Sequence, residues 1–142
     1  MNKKAFLLEM RQTGKLKGLK PCYISLKFNS GKIYNGGNAN FIMSLRNGTL
    51  YFQKYSKFFS KLQPSGDFSV NAKRFKDYTV IDNKLFKILS LKDSEGFSLE
   101  IYYNIYGENT LSTIENIDRI VSELKDLYGL KLLKEDDNNE KS

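Results

Sequence analysis

The chain has no histidine, no tryptophan, one cysteine and two prolines in 142 residues. Without imidazole there is no Ser-His or Cys-His dyad, no histidine-held zinc and no imidazole acid/base work. A single thiol, Cys22, cannot close an internal disulfide. It sits in the alternating run Cys22, Ile24, Leu26, Phe28, where it reads as a small buried hydrophobe rather than a nucleophile. No window approaches the roughly 18 apolar residues of a membrane span. The apolar start Ala5-Phe6-Leu7-Leu8 is closed by Glu9 and Arg11, too soon for a secretory leader. These absences point to a cytoplasmic protein.

Motifs are missing too. There is no phosphate-binding glycine loop, no dinucleotide fingerprint and no EF-hand loop. Asp93 and Glu95 fall in a tight turn and are expected to point outward, and Glu135-Asp136-Asp137 falls in a polar terminal run. No catalytic residue, cofactor or metal is therefore expected, and the chain is not read as an enzyme.

What is present is aromatic and basic. Ten Phe and nine Tyr, within 40% hydrophobic content, are enough for one core in one domain. The formal charge is +7, but residues 1–76 carry 15 Lys/Arg against Glu9 and Asp67, a balance of +13. Residues 77–142 carry 8 Lys/Arg against 14 acids, a balance of −6. Either the halves neutralise each other within the fold, or the basic half meets an acidic partner: nucleic acid, anionic lipid or an acidic protein surface.

Period-two alternation dominates the middle of the chain and predicts strands. Residues 6–10 are apolar without a clear period, and the glycine-punctuated basic run 14–20 reads as a loop. Pro21 is expected to hold Lys20 extended. Phe41, Met43 and Leu45 alternate with Ile42, Ser44 and Arg46, then Asn47-Gly48 leads into a second strand. Both turn positions tolerate positive φ, so this is a strong hairpin signal. A second hairpin flanks Asp93-Ser94-Glu95-Gly96, with Phe97, Leu99, Ile101 and Tyr103 on one face. Residues 112–128 predict an amphipathic helix. Its apolar stripe is Ile114, Ile117, Ile120, Val121, Leu124, Leu127 and Tyr128. Ser112 and Glu115 fit a capping box, and Gly129 suits the C-terminal left-handed position.

The predicted fold is mainly β: about seven short strands and then one C-terminal amphipathic helix. The segments FIMSLRNGTLYF, LFKILSLKDSEGFSLEIYY and STIENIDRIVSELKDLY carry that order. Over residues 21–127 it resembles the pleckstrin-homology superfold, in its bacterial PH/GRAM-like form, which implies a partly open antiparallel β-barrel or bent sheet capped by that helix. The resemblance implies a basic extension (1–20), a PH-like domain (21–129) and an acidic, disordered tail (130–142). It also implies a non-catalytic binding module for a protein, a peptide or an anionic membrane surface, sited in the cytoplasm or at the inner face of the membrane. A nucleic-acid-binding protein using the basic half is the alternative. Lipid-binding members carry a Lys in the first hairpin and a Lys/Arg-x-Arg triplet on the next strand. Here Lys32 and Arg46 match the outer positions, and Ser44 departs from the pattern.

One stretch interleaves lysines with aromatics, YFQKYSKFFSK. It marks Lys54, Lys57 and Lys61, with Tyr55 and Phe58, as a binding rim for anionic lipid or single-stranded nucleic acid. The bland reading is a strand and loop whose aromatics are core and whose lysines are solvated. Lys15, Lys17 and Lys20, with Lys32 and Arg46, form a secondary basic set.

Overall fold

The computed structural model describes residues 3–28, 39–56, 61–106 and 110–133. They form helix α1 (Lys3–Gln12), strands β1 (Leu19–Phe28), β2 (Ala39–Arg46), β3 (Thr49–Ser56), β4 (Lys61–Leu62), β5 (Phe68–Asn71), β6 (Phe75–Asp82), β7 (Phe86–Asp93) and β8 (Ser98–Asn104), helix α2 (Thr110–Tyr128), and strand β9 (Lys131–Leu132). The strands make one sheet in the order β4-β3-β2-β1-β8-β7-β6-β9, with β5 also on β3. Every pairing is antiparallel except that of β9 with β6. Leaving out the two-residue β4 and β9, seven strands remain, bent around one core and left open. This is the mainly β, helix-capped architecture expected from the sequence. Among the described residues no helix is long and apolar enough to cross a membrane.

The alternation works as the physics requires. Cys22, Ile24, Leu26, Phe41, Met43, Leu45, Leu50, Phe52, Leu89, Leu91, Leu99 and Ile101 are buried on the inner face, and Ile117, Ile120 and Leu124 of α2 close it. Each fully buried Leu, Ile or Phe contributes about 1.5–3 kcal/mol. Asn47 (φ 52°) and Gly48 (φ 77°) form the β2–β3 turn, and Gly129 (φ 77°) ends α2. The second hairpin is held from within. Asp93 turns inward, accepting from the Glu95 and Phe97 backbone N–H groups and from Arg74. Desolvation raises its pKa, but these donors outweigh it and hold the carboxyl below its usual range.

Four local expectations are corrected. Helix α2 starts at Thr110, so Ser112 lies inside it and cannot cap it. Thr113 instead points at β1, where its Oγ1 accepts the Tyr23 N–H at 3.2 Å. Lys20 is not extended: it adopts φ 58° within a bulge between Leu19 and Cys22, which aims its amine at Glu123 of α2, 3.2 Å away. Leu127 is exposed, because the end of α2 leans onto the β2–β3 turn through Tyr128, which packs beside Gly48. Residues 130–132 were expected in the tail, yet Leu130 is buried and Lys131–Leu132 pair with β6.

Candidate functional site

The outer face of the sheet acquires a second, smaller core. Phe6 and Met10, one turn apart on α1, pack with Tyr23, Ile42 and Tyr55 from β1, β2 and β3; Leu7, Leu16 and Leu62 flank them. Tyr55 stands between the rings of Phe6 (6.0 Å) and Tyr23 (5.3 Å). The Tyr23 hydroxyl donates to the Lys3 carbonyl at 2.7 Å. Burial pushes the Tyr55 hydroxyl pKa up to about 12. It pushes Tyr23 higher still, with the neighbouring Tyr55 adding to the rise.

From α1 the chain crosses β2 and β3 as a strap, residues 13–18. Gln53, buried in β3, clamps it at two points. Its Oε1 accepts the Lys17 N–H at 3.0 Å, and its Nε2 donates to the Lys15 carbonyl at 2.8 Å. Arg46 Nε donates to the Lys17 carbonyl at 3.1 Å. Gly18 lies so close to β2 that a Cβ there would meet Ser44 Oγ at 2.7 Å, so only glycine lets the strap lie flat.

The strap, the end of α1 and β4 enclose an open groove of about 750 Å³. Phe6, Met10 and Leu62 form its apolar side; Lys15, Lys17 and Lys61 line it, with Glu9 and Asp67. Asp67 is already engaged, accepting the Lys54 N–H at 2.8 Å and facing Lys17 Nζ at 3.6 Å. Lys15 and Lys61 are exposed and make no ion pair among the described residues.

The residues singled out from the sequence are thus sorted by the fold. Lys61, Lys15 and Lys17 meet at one groove, joining the two basic sets. Tyr55 is core rather than rim, buried beneath α1. Lys54 takes the opposite face of β3 from Gln53 and Tyr55, with its stem against Gly66. Lys20 is tied to Glu123, and Arg46 to the strap. Lys32, Lys57 and Phe58 lie outside the described residues. Sequence reasoning missed Gln53, Asp67 and the pair Phe6/Met10. The spacing of that pair, four residues, was the available signal, but ten residues are too few for a convincing helical period.

Cys22 is buried and its thiol pKa is pushed far up by desolvation. No group of three His, Cys, Asp or Glu able to hold a metal occurs among the described residues. The groove presents an apolar side and two lysines without an ion pair among the described residues.

No protein-family model matches the chain, and no curated protein sequence matches it. Among solved structures it is similar in fold to the hSac2 domain from human phosphoinositide phosphatase Sac2, with a TM-score of 0.51 and 11% identity, over 94% of this chain and 90% of that one.

Proposed function

We propose that the chain is a non-catalytic, PH-like binding module of the cytoplasm, and that its groove takes a segment of a partner protein. That segment places an apolar side chain on Phe6, Met10 and Leu62 and an acidic one between Lys15 and Lys61. The observation that carries this is the convergence on an apolar groove of peptide-binding size of two lysines that make no ion pair among the described residues. The order of seven strands followed by a C-terminal helix supports the PH-like reading. Phosphate-driven binding needs several unengaged cations. Lys17 and Lys20 are neutralised by Asp67 and Glu123, which favours a protein ligand over nucleic acid.

A second reading rests on a separate observation. Leu8 of α1 is 52% exposed and stands between Lys4 and Arg11 at helical spacing, beside the hollow against α2. An apolar residue flanked by cations suits an anionic membrane surface, near which each cation is worth about 1 kcal/mol.

Selection from a random peptide library separates the two. The groove reading expects wild type to enrich peptides joining a bulky apolar residue to Asp or Glu. The double variant Lys15→Glu, Lys61→Glu should bind them at least about tenfold more weakly, ~1.4 kcal/mol. Undiminished binding by that variant, or no enrichment at all, contradicts it. Pelleting with phosphatidylserine vesicles, lost in Leu8→Glu and kept in the groove variant, would support the membrane instead.

A further inference from the structure

Exposed apolar side chains gather at one edge of the sheet. Val80, Ile81, Leu85, Leu132 and Leu133, between 37% and 66% exposed, lie along β6, the turn after it, and β9. Apolar residues on an open strand edge are an association surface.

Strand β9 covers only part of that edge. It sets Lys131 against Asp77 and Leu132 against Tyr78, and the Leu133 N–H donates to the Tyr78 carbonyl at 2.8 Å. The Tyr78 carbonyl therefore points away from β7. Backbone groups alternate with period two, so the N–H and C=O of Val80 and Asp82 point the same way. Among the described residues no strand pairs with β6 there.

We propose that the occupant of this edge is a second copy of the chain, its β6 running antiparallel to the first with Ile81 opposite Ile81. The register follows from elimination. In an antiparallel pair, outward-pointing residues must face outward-pointing residues. Val80 against Val80 would drive Asp82 into Tyr78, whose carbonyl is already engaged. Asp82 against Asp82 would oppose two carboxylates. Ile81 against Ile81 leaves each Val80 exchanging both backbone hydrogen bonds with the other copy's Asp82. Lys87 lies 3.6 Å from Asp82 and offsets repulsion between the two Asp82 side chains. The same patch thus serves both subunits, as a two-fold interface requires. The chain's own residues 134–142, KEDDNNEKS, contain no apolar side chain to cover Val80 and Ile81 and are rich in strand-poor Asp and Asn.

Cysteine cross-linking tests the register. Opposed Ile81 residues form a non-hydrogen-bonded pair with Cα atoms about 4.5 Å apart, within disulfide reach. Cys22, the only native thiol, is buried. Under copper–phenanthroline oxidation, Ile81→Cys should link into covalent dimers, and Leu8→Cys, exposed elsewhere, should not. Equal linking in both, or none in Ile81→Cys, overturns the proposal. In sedimentation equilibrium, wild type should approach twice its 16.4 kDa by about 0.1 mM, and Ile81→Lys should stay monomeric. A wild type that stays monomeric, or dimers that appear only after truncation at Leu133, would overturn it as well; the second result would give the edge to the chain's own terminus.

Discussion

The two faces of this sheet are buried in different ways. The inner face closes on itself: alternating residues from seven strands meet three isoleucine and leucine side chains of α2 in one contiguous core. The outer face, among the described residues, is covered over β1, β2 and β3 by ten residues of helix and a short strap. The inner core needs no polar help. The outer one is tied by side chains to backbone: the buried amide of Gln53 satisfies two groups of the strap, and Tyr23 and Arg46 each meet one carbonyl more. The thick core fixes the fold, and the thin one shapes the groove.

The difference should show first in stability. Leu124→Asp places an unpaired charge where exposure is 1%, and should cost several kcal/mol, enough to unfold the domain. Met10 is equally buried, at 2%. Met10→Asp should nevertheless release α1 and the strap while the sheet and its inner core still melt cooperatively, at a lower temperature. Circular dichroism melts of both variants check this. Equal collapse of the two would mean that the faces form one unit.

A smaller effect is expected at the clamp. Gln53→Leu strands the Lys17 N–H and the Lys15 carbonyl and should cost roughly 1–3 kcal/mol in denaturant unfolding. Its larger consequence should be loss of the groove, read as weaker binding of the selected peptides. An unchanged affinity would show that the strap does not depend on Gln53.

The inner face was legible because its signal is repetitive. Phe41, Met43 and Leu45, or Leu99, Ile101 and Tyr103, state their face by period two, and Asn47-Gly48 states its turn by the φ it allows. The outer cluster has no such repetition. Ile42 read as the polar-side partner of Phe41 and Met43, yet it is wholly buried beneath α1. Nothing local distinguishes a strand with one apolar residue on its outer face from one covered by a helix. Lysine positions were equally silent. Lys15, Lys17 and Lys61 meet because residues far apart in the chain pack together. Lys20 and Lys54 were drawn elsewhere by a bulge and by strand parity.

The smallest effect is alkaline. Tyr55 is held protonated by burial, its folded pKa of about 12 lying above the ordinary 10.0. The unfolded chain releases that proton first. This stabilisation is therefore full below pH 10 and is lost as pH rises toward 12. Tyr55→Phe should flatten the fall in stability across that window, measured by urea midpoints at fixed pH. Tyr103, raised to about 12 by burial on the other face, should leave part of the slope in place.

Amide hydrogen exchange on the intact chain tests the separation of the two layers most directly. The Lys17 amide, bonded among the described residues to Gln53 alone, reports the strap, and amides of β2 facing β1 and β3 report the sheet. The account predicts that Lys17 exchanges through a local opening well below the free energy of global unfolding, with the β2 amides exchanging only at the global value. Exchange of both sets at one common free energy would contradict it.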